Sequence, residues 1–191
     1  MELNFYHVMS GNLVPSVVKL LEKVYDSGKK SVFFSPIEER IKIVDKTLWT
    51  FSKNAFIPHG DKSLGFSELQ SVYLTSEIEN PNQANVLVLT DDFDYKSWIK
   101  NSENRNSENK NSENRNSENQ NLGKQSSENQ SSENRNLKKQ NPEDQDFERI
   151  IFVFEDDDSA KTAQSMFEDL KNQRENVKYW KQSQSGWEKL S

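Results

Sequence analysis

Hydrophobic positions alternate between two periods along this chain, and the alternation predicts its elements. Asn4 to Val8, "NFYHV", reads as a first strand, and the segment from Leu13 to Asp26 then puts Leu13, Val17, Leu20, Leu21 and Val24 on one helical face. Gly28 suits the position just past that helix. "SVFFS", Ser31 to Ser35, is a short apolar run of buried-strand type. The next helix is expected to take Ser35 as N-cap, Pro36 as its first residue and Glu38 as the far half of a capping box. Its inward stripe would be Ile37, Ile41, Val44 and Leu48. Further strands are expected at "SVYLTS" (Ser71 to Ser76), "NVLVLTD" (Asn85 to Asp91) and "RIIFVF" (Arg149 to Phe154). After the last comes a helix capped by an Asp, with Ala160, Ala163, Phe167 and Leu170 inward, then a short strand and an aromatic tail in "NVKYWKQSQSGWEKLS". Strands alternating with helices predict an α/β, Rossmann-like domain, with a mixed, mostly parallel sheet and helices on both faces.

One segment breaks the pattern. From Asn101 to Gln120 a five-residue unit, "NSENR" and its variants, is repeated four times, and degraded copies continue toward Gln140. Between Asn101 and Asp146 the only aliphatic residues are Leu122 and Leu137, and there is no aromatic one. Such a segment cannot bury enough apolar surface to offset its ordering entropy, so disorder is expected. The glutamates nearly cancel the basic residues of the repeats, which leaves no unbalanced positive charge for a phosphate-tracking arm. The segment therefore reads as a tolerated insert, 101–146, inside one domain formed by 1–100 and 147–191. Taking those 46 residues from 191 leaves 145, an ordinary single-domain length.

Composition narrows the function. A net charge of −6 disfavours a protein built to grip duplex DNA strongly. Without cysteine there is no disulfide, redox thiol or thiolate zinc site. The start "MELNFYHVMS" has no basic n-region, and no apolar run approaches the length of a membrane span, so a cytoplasmic location away from membranes is expected.

Candidate chemistry is sparse. "SGKKS" (Ser27 to Ser31) has the wrong context for a phosphate loop, because Gly28 ends a helix and precedes a strand, and "SGN" (Ser10 to Asn12) offers one glycine where a dinucleotide fingerprint needs three. His7 in a strand and His59 in a loop have no nucleophile beside them in sequence. One enzymatic reading remains: Asp91 and Asp92 after one strand, with Asp156 and Asp157 after another, could hold Mg²⁺ for phosphoryl transfer. The alternative is that these carboxylates cap a helix and sit in a solvated turn. The aromatic run "LWTFSKNAFIPHG" places Trp49, Phe51, Phe56, Ile57 and Pro58 at and past a helix end, either as a protein-binding anchor or as a seal on the sheet.

Taken together, "FYHV", "SGKKSVFF", "DKTLWTF", "FIPHG", "ENPNQANVLVLTD" and the closing "VKYWKQSQSGWEK" resemble the chi subunit family of bacterial DNA polymerase III holoenzyme, over nearly all the chain outside the insert. The resemblance implies a non-catalytic accessory subunit with no cofactor or metal. It would bind the psi subunit, and through it the clamp loader, on one surface, and the acidic C-terminal tail of single-stranded DNA-binding protein on another. By position, Trp49, Phe51, Phe56, Ile57 and Pro58 fall on the psi side. The tail side fits less well: Gln164 and Glu168 stand where the family has cations, leaving Phe167 with Lys161, Lys171 and Arg174 as candidates. A generic interaction module without a replication role would use the same aromatic patch. Deletion of 101–146 is expected to leave the melting temperature nearly unchanged, because no core is lost; a thermal melt of the shortened chain checks this.

Overall fold

The computed structural model describes residues 1–52, 56–94, 97–98, 142, 146–155, 158–174 and 176–190. The predicted insert lies outside the described residues except for Pro142 and Asp146. Two compact units divide the chain: Met1–Phe93 with Pro142–Ser191, and Asp94–Asn141. Of the second, Asp94, Ser97 and Trp98 are described, and the Ser97 amide and hydroxyl donate to the Asp94 carboxylate at 3.1 and 2.7 Å.

The first unit is built on one eight-stranded sheet. Its elements are β1 (Glu2–Val8), α1 (Leu13–Asp26), β2 (Ser31–Phe34), α2 (Glu38–Thr50), β3 (His59–Gly60), two 3₁₀ turns (Lys62–Leu64 and Ser67–Leu69), β4 (Val72–Thr75), β5 (Val86–Thr90), β6 (Arg149–Glu155), α3 (Asp158–Gln173), β7 (Val177–Ser183) and β8 (Gly186–Lys189). The strand order is β3-β4-β2-β5-β6-β1-β7-β8. Every neighbouring pair is parallel except β7 and β8, which form an antiparallel hairpin.

Parallel strands must be covered on both faces, and the alternation of side chains supplies the two cores. On one face Phe33, Val72, Leu74, Val86, Val88, Ile151 and Val153 pack with α1 and α2. On the other, Phe5 stacks on Phe152 at 5.0 Å and meets Phe167 of α3 edge-on at 5.8 Å. The helices thus lie on both faces, as the sequence pattern predicts. Gly28 adopts φ +75, a left-handed conformation at the end of α1 that a side chain would strain, and its amide donates to the Tyr25 carbonyl at 2.9 Å.

Two expectations fail locally. α2 begins at Glu38 with Ile37 as N-cap and no side-chain capping bond. The Ser35 hydroxyl instead accepts from the Ile37 amide at 3.1 Å and donates to Asp92. Ile37 therefore sits outside the helix, 47% exposed, rather than on the inward stripe, while Val44 and Leu48 are buried as expected and Ile41 packs partly against the core. The C-terminal segment is a hairpin rather than one strand and a tail.

Glu2 ties the centre of the sheet together: it accepts from Arg149 of β6 at 3.0 Å and Lys178 of β7 at 2.6 Å. Burial acts to raise its pKa, but the bonds from Lys178, Asn4 and Arg149 outweigh it and hold the carboxyl below the usual glutamate value. A lowered folded-state pKa means the stabilisation is complete above the ordinary glutamate range and is lost as pH falls through the lowered value. Glu2→Gln is expected to cost about 1 kcal/mol at pH 7, and the difference between the two proteins should shrink as acid is added. Denaturant melts over a pH series measure it.

Candidate protein-binding surfaces

The aromatic run after α2 forms at one edge of the sheet. Leu48 is the last inward residue of α2, and one residue further rotates the chain by about 100°, so Trp49 turns outward and is 58% exposed. Phe56 is 62% exposed, and its ring lies 5.7 Å from that of Trp49. Beneath them, buried His59 lies 4.8 Å from the indole, and its Nδ1 donates to the Ile57 carbonyl at 2.7 Å. The Pro58 carbonyl accepts from both Ser71 and Val72 amides at 3.0 Å, which fastens the segment to β4.

The five residues of the expected patch thus divide by role. Trp49 and Phe56 are on the surface, Ile57 is buried in the core, Phe51 packs against that core at its margin, and Pro58 is half-buried with its carbonyl in the sheet ladder. Beside them the 3₁₀ turns expose Leu64 (59%), Phe66 (71%) and Leu69 (68%), which sequence reasoning left unassigned. The signal was present in "SLGFSEL", where bulky apolar residues recur between turn-forming Gly and Ser without either regular period. Leu64 lies over β3: a Cβ built on Gly60 would come within 2.8 Å of its Cδ1.

A second surface lies between α3 and the hairpin, on the other face of the sheet. It is a cleft of about 520 Å³ whose lining includes Lys161, Phe167 and Lys171, three of the four expected tail-side residues, with Tyr179 and Leu190 opposite. Arg174 follows the end of α3 and is not part of the lining. Phe167 forms the floor, edge-on to Tyr179 at 5.1 Å, and the Lys171 ammonium sits 5.4 Å above its ring. The Tyr179 hydroxyl is 2.9 Å from Nδ1 of buried His7 and accepts from Gln164 at 3.4 Å. His7 is thus structural, as its place in a strand suggests. Gln164 and Glu168, the departures from the family pattern, also line the cleft, so its rim carries both charges.

The carboxylate reading meets an arginine. Asp91 and Asp92 lie at the end of β5, but Arg40 of α2 is 3.0 Å from Asp91 and 3.3 Å from Asp92, and Ser35 and Thr90 both donate to Asp92. A guanidinium already occupies the place a divalent ion would need. Asp156 and Asp157 lie outside the described residues. Among the described residues no group of three or more His, Cys, Asp or Glu is placed to hold a metal, and no helix is long and apolar enough to cross a membrane.

Comparison with known proteins agrees with the motifs. The family model described as DNA polymerase III chi subunit, HolC, matches residues 1–178. A curated relative from Rickettsia prowazekii (strain Madrid E), named probable DNA polymerase III subunit chi, is 36% identical over 93 residues. That match covers 49% of this chain and 56% of the relative, little more than half its length.

Proposed function

The chain belongs to the DNA polymerase III chi subunit family, a family of replication accessory subunits, and from that premise we propose that it is a non-catalytic connector in the bacterial holoenzyme. In this reading a psi-type partner, and through it the clamp loader, docks on the edge carrying Trp49 and Phe56. The C-terminal tail of single-stranded DNA-binding protein docks in the cleft over Phe167.

The observation that carries the reading is the exposure of the Trp49 and Phe56 pair. Two large rings, each more than half exposed and held on a pinned backbone, lose little conformational freedom on binding and have apolar area still to bury. The cleft supports the second half in a different way. Its aromatic floor suits an apolar side chain, and Lys171 and Lys161 are the cations available to a terminal carboxylate. Glu168 and Gln164 replace charge that such a tail would use, so this contact is expected to be weaker than the first. The enzymatic alternative has no comparable support, because its Asp91 and Asp92 are already satisfied by Arg40.

Trp49→Ala is expected to weaken psi-type association by about 2 kcal/mol or more while leaving the melting temperature intact, since the ring is on the surface. Calorimetric titration with the psi subunit tests this, and unaltered affinity would remove Trp49 from the interface. For the cleft, a pull-down with single-stranded DNA-binding protein should lose its signal when the partner's last residues are removed. It should also weaken with Lys171→Glu. Capture indifferent to both changes would place the contact elsewhere.

A further inference from the structure

The strand faces hold a third surface that neither proposed contact uses. α1 packs mainly over β6, β5 and β2, so on its side of the sheet the β7 and β8 end is left without a covering helix among the described residues. Register fixes which side chains stand there. Tyr6 pairs with Trp180, Trp180 with Lys189, and Gln182 with Trp187, so these residues share one face with Asn4 and Lys178. The Tyr6 and Trp180 rings are nearly parallel, 6.2 Å apart at 10°, and Trp187 meets Tyr6 edge-on at 5.0 Å. All three rings are half-buried rather than sealed, and Trp187 has one edge anchored on the core.

Charge on this face is the reverse of the chain's own. Arg149, Lys178 and Lys189 stand with the aromatic residues; against them are two carboxylates, Glu2, which Arg149 and Lys178 share, and Glu155 at the far end of β6, which accepts from the Leu13 amide at 3.0 Å. The protein as a whole carries −6. An open sheet face with a row of aromatic rings and a local excess of cations is the arrangement on which successive bases stack while the backbone phosphates meet the cations.

We propose that the β1, β7 and β8 face, through Tyr6, Trp180, Trp187, Lys178 and Lys189, is a stacking platform for a short stretch of single-stranded nucleic acid. The contact is weak and local: two or three bases on the rings and a few phosphates on the lysines. It is compatible with the acidic composition that disfavours strong duplex binding, because stacking on aromatic rings needs few cations. Aromatic rings with a lysine beside them on adjacent strands suit bases joined by phosphates, and an acidic peptide is the rival that the experiment has to exclude. The proposal does not rest on the two-partner reading, since the platform lies on the opposite face from the cleft and at the opposite end of the strand order from Trp49.

The experiment is a fluorescence anisotropy titration of a labelled oligothymidylate of about 15 nucleotides with the full chain, at about 50 and 200 mM salt. Saturable binding that weakens with salt is expected. Trp180→Ala and Trp187→Ala should each weaken it by about fivefold or more. Lys189→Glu, at an exposed position that leaves the fold unstrained, should weaken it and flatten its salt dependence. Trp49→Ala and Lys171→Glu, which alter the other two surfaces, should leave it unchanged. The proposal is overturned by no saturable binding at the lower salt. It is equally overturned by binding that ignores Lys189→Glu together with both tryptophan substitutions, or by preferential binding of an acidic peptide run in parallel. Circular dichroism melts of each variant separate loss of binding from loss of fold.

Discussion

Seven of the eight strands run in one direction, and a strand inside such a parallel sheet has little solvated face to spare. That constraint governs the rest of the molecule. Every residue of β2, β4 and β5 is buried, and β6 is exposed only partly, at its two ends. Helices α1 and α2 on one side and α3 on the other are therefore committed to covering the sheet. Surface left for partners has to come from where coverage stops: the short edge at β3, the seam between α3 and the hairpin, and the uncovered face of β7 and β8. All three candidate surfaces lie at such places, and none lies at the carboxyl ends of the central strands, where α/β enzymes hold their ligands.

Those strand ends are instead closed by Arg40. Its guanidinium bridges Asp91 and Asp92, while Ser35 turns away from capping α2 to donate to Asp92. The Ser35 hydroxyl donates to Asp92 while its oxygen accepts from the Ile37 amide, so it fixes the turn before α2 instead of capping the helix's first amides. Ile37 stands at the N-cap, 47% exposed.

Most of the fold was legible in the sequence, because long periodic segments report their own burial. α1 runs from Leu13 to Asp26, the bounds its stripe implies, and each of the five strands whose ends the pattern set appears within two residues of them. What escaped was too short or too distant to leave a pattern. β3 has two residues, fewer than any period needs, and although Ser185-Gly186 marks the hairpin turn, the strand after it has only four residues, too few to show a period. Of the candidate surfaces, the outward turn of Trp49 could be read from its offset to Leu48, and Lys161, Gln164, Glu168 and Lys171 share a helical face by spacing alone. The buried His7 to Tyr179 bond that sets the far wall of the cleft joins residues 172 positions apart, and no local signal reaches that far.

The two proposed partner contacts differ in how much they owe to charge, and the difference follows from geometry. Trp49 and Phe56 present apolar area on a fixed backbone, so their contribution depends on the partner's shape and little on salt. In the cleft, Phe167 is nearly buried already, with 5% of its surface left, so a ligand gains little apolar burial from it and must gain more from the cations above. Lys171 spends part of its interaction on the Phe167 ring, and Lys161 lies 3.8 Å from Asp158. With Glu168 also on the rim, the cleft attracts a carboxylate only to the extent that it displaces these internal pairings, which are exposed, weak and screened. The proposed connector would thereby be asymmetric: one end held by shape, the other by an exchange of surface charges that ionic strength can tip.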